Sequence, residues 1–220
     1  MFTGYTQDTY DFFWELALQN EKSFFDANRE RYKASVYGPT LALCQLLTPT
    51  INDIDTGLCT RPSLVISRIR RDTRFTRDKS PYRDHVWIGY RLGEGHLSEN
   101  FVIYAQFGRD SYGYGMGMWG NNPPLMQRIR KPMLAHPERF LSLVNDKAFA
   151  ERFQPDGELY KRPKYPDEPE GIGTYLNRKG LSFNFSSPEL HRTMVPELGD
   201  EIKAGFLLLK PVYRFIMELN

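Results

Sequence analysis

Cysteine is nearly absent from this chain. Its 220 residues hold only Cys44 and Cys59, and no C-x-x-C pair occurs. That leaves no basis for a disulfide framework, and a disulfide-free, cytoplasmic protein is expected. Long apolar runs are also missing. Nothing approaches the ~20 residues that a bilayer-crossing helix requires, so no transmembrane helix is expected. The segment from Met1 to Asp8 has no basic stretch followed by an apolar one, so no secretory signal is expected either. The four histidines, His85, His96, His136 and His191, are scattered without ligand spacing, which argues against a metal site. No Gly-x-Ser-x-Gly, His-Glu-x-x-His or phosphate-loop motif is present, so neither a familiar hydrolase nor a cofactor has support. A lysine-rich tail or basic amphipathic helix is lacking, which argues against a membrane partner. A net charge of +2 is too mild for a dedicated nucleic-acid binder and keeps that partner a minor alternative. Composition does not set the oligomeric state.

Aromatic residues are plentiful, with 15 Phe, 13 Tyr and 3 Trp, so a core built on large rings is expected. From Thr6 to about Arg31, Tyr10, Phe13, Trp14, Leu16, Ala17, Phe24 and Phe25 recur at helical spacing. This predicts one helix, or two broken near Asn20, started by Thr6 or Asp8. Gly38-Pro39 is expected to end what precedes it, and a second helix runs from Thr40 towards Ile54. The pattern then changes. Ser63–Arg70, Val86–Arg91, Asn100–Phe107 and Tyr112–Trp119 read as strands, with a turn at Gly93-Glu94-Gly95. Gly113-x-Gly115-x-Gly117 lacks the spacing of a dinucleotide loop. It suggests a strand with one bare face, which either accommodates packing or lets a ligand approach. Helices are expected over Leu125–Leu134, from His136 to Val144, and from an Asp146 cap through Phe153. A Pro- and acid-rich loop follows over Arg162–Gly173. Leu181–Phe185 suits a short edge strand. Pro188–Leu219 is expected to be helical, with breaks at Pro196 and Pro211. Residues 1–220 are therefore expected to form a single α+β domain, an antiparallel meander sheet packed by N-terminal and C-terminal helices.

One stretch stands apart. Between Arg68 and Arg83 there are seven Arg or Lys and only two Asp, while the whole chain carries +2. Guanidinium is a rigid fork of donors that matches phosphate and carboxylate. The functional reading is an anion pocket for a small molecule. Arg68, Arg71 and Arg74 would grip the anion, Lys79 would add a point charge, Asp72 would orient a guanidinium, and Tyr82 would supply a hydroxyl or a stacking face. Arg130, Lys161 and Arg162, with Arg178 and Lys179, would form a second wall. The plain alternative is that Asp72, Asp78 and Asp84 pair with the arginines and the loop braces the fold. Another is that the patch serves as a nucleic-acid or protein interaction module. Whether any reaction is catalysed stays open.

The order Arg68-x-x-Arg71-Asp72-x-Arg74-Phe75-Thr76-x-Asp78-Lys79-x-Pro81-Tyr82-Arg83 resembles the signature of the domain-of-unknown-function family numbered 2461, bacterial and fungal conserved hypothetical proteins. Phe12, Leu16 and Asn20 in a Phe-x-x-x-Leu-x-x-x-Asn segment, Tyr112–Trp119, Ile129-Arg130 and Glu158–Lys164 with Leu176 and Lys179 are similar to further family blocks in the same order. The chain departs at Pro163-Lys164-Tyr165-Pro166, where the family usually has Pro-Lys/Arg-Gly-Phe. The resemblance spans nearly the whole chain and implies a fold and a site, but no activity.

Overall fold

The structure, a computed structural model, describes residues 1–74 and 77–218. Phe75 and Thr76 of the basic block, and Leu219 at the end of the expected terminal helix, lie outside the described residues.

The N-terminal aromatic repeat forms α1 (Gln7–Leu18), α2 (Lys22–Ala27) and α3 (Arg29–Tyr32), with the break near Asn20 as expected. Thr6 occupies the N-cap of α1, where its N–H donates to Thr9 Oγ1 at 3.1 Å. Gly38-Pro39 does not stop the chain. A π-helical turn over Lys33–Tyr37 carries α3 directly into α4 (Gly38–Ile54). Pro39 has no N–H for the Ser35 carbonyl one turn back, and its ring would crowd that carbonyl in a normal helix. The wider turn relieves the crowding, and Thr9 Oγ1 donates to the Ser35 oxygen at 2.7 Å instead.

The strand expected over Ser63–Arg70 is overturned. Pro62 pre-sets a helical φ, so Pro62–Val65 forms one turn, α5. Only single bridges follow, Ile66 to Ile88 and Arg70 to Tyr82. The remaining meander matches expectation: β1 (His85–Tyr90), β2 (Phe101–Gly108) and β3 (Tyr112–Met118). After it come α6 (Pro123–Ala135), α7 (Pro137–Val144) and α8 (Lys147–Arg152). The Asp146 carboxylate accepts from Phe149 N–H at 3.1 Å and caps α8. β4 (Gln154–Asp156), α9 (Glu170–Leu176), β5 (Ser182–Ser187) and α10 (Leu198–Ile216) complete the chain.

The sheet is antiparallel throughout, in the order β1-β2-β3-β5-β4. β5 is thus an interior strand and not the edge that its length suggested. The edge on that side is β4, whose Pro155 is tolerated there because an edge strand can forgo a ladder hydrogen bond. Pro196 precedes α10, but Pro211 lies within it without a break. Leu207, one turn back, is on the solvent side, where water can take the carbonyl left without a partner.

One face of the sheet is covered by α4 and α10. Ile88, Tyr90, Ile103, Tyr112, Tyr114 and Met116 are buried there. Gly205 allows α10 to lie against Tyr114, since a Cβ would stand 2.3 Å from that ring. The opposite face carries Trp87, Tyr104, Gln106, Asn184 and the β3 glycines. A Cβ on Gly115 would lie 2.2 Å from the Phe183 carbonyl oxygen, so the bare face of β3 first serves close approach of β5.

Candidate functional site

The basic segment leaves α5, turns, and returns to β1. Its base is a narrow ladder, with Arg71 N–H donating to Pro81 O and Arg83 N–H to Ile69 O, each at 2.9 Å. Tyr82 is pinned from two sides. Its ring stacks on Phe25 with centroids 4.5 Å apart. Its backbone pairs with the Asn20 side chain, donating to Oδ1 at 2.9 Å and accepting from Nδ2 at 3.0 Å. Asn20 therefore acts as a one-residue strand. The Phe-x-x-x-Leu-x-x-x-Asn segment acquires a physical role: Phe12 and Leu16 anchor α1 in the core, and Asn20 holds the loop.

The arginines divide by partner. Arg83 and Arg91 are braces. Arg83 Nη1 donates to the Arg68 and Arg70 carbonyls, and partial burial lowers its pKa. Arg91 is 8 % exposed and donates to the carbonyls of Leu64 and Gly95. Arg74 forms a bidentate pair with Asp72, at 2.7 and 2.9 Å, and this guanidinium holds the Asp72 carboxyl down at about 2. Arg71 pairs with Asp78, whose carboxyl is held well below the usual range by Ser80 first and then by Arg71. Lys79 Nζ donates to the Thr73 carbonyl at 2.8 Å. Arg68 and Arg70 differ from all of these. Both are exposed, and neither has a carboxylate partner among the described residues. Arg70 also lies 6.0 Å from the centroid of the Tyr82 ring.

These two side chains stand on a ridge between two clefts. One, of about 870 Å³, is floored by Phe25, Tyr32 and Tyr82. The other, of about 670 Å³, runs between the basic segment and the β1–β2 connection at Glu94–Leu97. Six arginines line it (Arg68, Arg70, Arg71, Arg74, Arg83 and Arg91) against two carboxylates, Asp72 and Glu94. Glu94 is itself paired with Arg61 at 3.0 Å.

The expected second wall lies elsewhere. Arg130 is 1 % exposed, and its guanidinium donates to the Leu176 and Arg178 carbonyls at the end of α9. That position is beside β5 and β4, three strands away from β1. Lys161 and Arg162 are exposed, and neither they nor Arg130 lines the two clefts. His85 pairs with Asp84 at 3.1 Å. Among the described residues no group of three His, Cys, Asp or Glu could hold a metal ion, and no helix is long and apolar enough to cross a membrane.

Fold and site together define a class: an α+β protein with an antiparallel sheet and an arginine-rich cleft along its β1 edge. Residues 8–215 match the family described as Conserved hypothetical protein (DUF2461), and the chain belongs to that family. A comparison with curated proteins found no match.

Proposed function

We propose that this protein binds an anionic small molecule, bearing phosphate or carboxylate, in the arginine cleft beside β1. The observation that carries the reading is the pair Arg68 and Arg70, two exposed guanidinium groups without carboxylate partners among the described residues, at the lip of a cleft rich in arginine. Arg71, Arg74 and Lys79 add positive charge beside them, Arg71 and Arg74 in pairs with Asp78 and Asp72 and Lys79 on the Thr73 carbonyl. An approaching anion would gain charge-assisted hydrogen bonds that no described side chain of the cleft already supplies to Arg68 and Arg70. Concave placement favours a small ligand over a nucleic-acid backbone, which asks for a flat basic stripe and strong salt dependence. The two free thiols, Cys44 and Cys59, suit a reducing compartment and support a cytoplasmic location.

A thermal-shift panel of phosphorylated and polycarboxylate metabolites tests this on wild type and on the double variant Arg68→Ala with Arg70→Ala. A ligand at a hundredfold excess over its Kd stabilises by about 2.7 kcal/mol, and the double variant should lose that shift. The same shift in both proteins would overturn the assignment. A double variant that melts far below wild type without ligand would favour the bracing role already filled by Arg83 and Arg91.

A further inference from the structure

The arginine cleft continues past the loop. Trp87 and Leu97 in its wall are shared with a smaller pocket of about 140 Å³ on the sheet face opposite α4 and α10. There the register sets Gly115 between Tyr104 on β2 and Asn184 on β5. Gly117 likewise lies between Val102 and Ser182. The lining holds no charged side chain among the described residues, in contrast to the cleft beside it. Its polar groups are amides and hydroxyls held in place by one another: Tyr104 Oη donates to Asn184 Oδ1 at 2.7 Å, and Asn184 Nδ2 to Ser182 Oγ at 3.1 Å. The Gln106 amide has no such partner among the described residues and is open to a ligand.

Two indoles close one end. Trp87 and Trp119 touch with centroids 5.8 Å apart and planes tilted by 40°, and Trp119 is 57 % exposed. Trp119 leaves indole surface open beside a neutral hollow rimmed by polar groups, the kind of surface that ligand-binding grooves present. The two rings already touch, so no slot is left between them for a flat base to enter. What they offer is a shelf. The C–H face of a sugar ring fits such a shelf, and its hydroxyls fit the amides beside it.

We propose that this pocket is a sugar subsite, and that the ligand spanning it and the arginine cleft is a phosphorylated sugar, free or within a nucleotide. The charged end of this ligand rests on the anion-binding reading above, whereas the sugar end rests on the sheet face alone. Trp87 and Trp119 are two of the three tryptophans in the chain, so binding reads out as intrinsic fluorescence. Inorganic phosphate, glucose, glucose phosphate and adenosine monophosphate would be titrated into wild type, Trp119→Ala and Trp119→Phe. Glucose phosphate should bind at least about tenfold more tightly than phosphate. Trp119→Ala should remove about that factor, as losing one stacked ring does, while Trp119→Phe keeps most of it. Phosphate affinity should be the same in all three proteins. Equal affinity for phosphate and glucose phosphate, or a ratio untouched by Trp119→Ala, would overturn the subsite and leave the anion reading standing. A loss confined to adenosine monophosphate would mean that the shelf holds a base, and would overturn the sugar assignment. If neither phosphate nor glucose phosphate binds, the phosphorylated-sugar reading falls, while the anion reading falls only if the carboxylates of the thermal-shift panel fail as well.

Discussion

Arginine is used in opposite ways at the two ends of the sheet. Beside β4 and β5, Arg130 is buried, and backbone carbonyls at the end of α9 take up its donors. Beside β1, Arg68 and Arg70 stand in solvent on a ridge between clefts, with no carboxylate partner among the described residues. All three residues read alike as letters in a basic, family-like pattern. What separates them is where their donors end. A guanidinium closed over carbonyls holds two segments together, whereas one left open in a concave, positively charged setting is available to a visitor.

Substitution should expose that contrast most strongly at Arg130. Arg130→Met leaves the Leu176 and Arg178 carbonyls buried without donors, at a cost of about 3 kcal/mol. For a chain of this size that lowers Tm by roughly 6–12 °C, measurable by calorimetry. The double change at Arg68 and Arg70 is the counterpart, and its ligand-free stability should stay within about 0.5 kcal/mol of wild type. A comparable loss at both places would erase the distinction. Asn20→Ala falls between them. It removes both hydrogen bonds to the Tyr82 backbone and should cost about 1–3 kcal/mol. Faster hydrogen exchange at the Arg71 and Arg83 amides would accompany it, and unchanged exchange there would show that the stack on Phe25 alone holds the loop.

The smallest effect is at Asp72, and it appears in acid. Its folded carboxyl titrates at about 2, below its unfolded value, because of Arg74. The stabilising contribution is therefore complete above the unfolded pKa of about 4 and is lost as pH falls towards 2. A carbon-detected titration should place Asp72 near 2 in dilute buffer. The value should climb towards normal in about 1 M salt, since this pair is fully exposed and easily screened.

Much of the fold is legible in the chain because periodicity reports burial directly. The aromatic repeat of α1, the meander and the Asp146 cap all follow from side chains and their nearest neighbours. Ser63–Arg70 misleads because its β-branched residues suggest extension, while Pro62 commits the first turn to a helix. Gly38-Pro39 misleads because the compensation comes from Thr9, some thirty residues away. At the site, the surplus of positive charge is plain in the sequence, but its sorting is not. Arg83 binds the carbonyls of Arg68 and Arg70, and Arg91 those of Leu64 and Gly95. Main-chain acceptors of this kind leave no trace in residue identity. Asn20 is visible in the chain as a helix break and as part of a family-like segment, but its role needs the backbone of Tyr82 to be placed beside it.

The Asn20–Tyr82 clasp gives the cleft an unusual suspension. The loop hangs from the joint between α1 and α2 as well as from the sheet, so the spacing of those two helices helps set where the ridge of Arg68 and Arg70 stands. Lengthening that joint by a single residue would carry Asn20 away from Tyr82 and shift the ridge without altering any residue that faces either cleft.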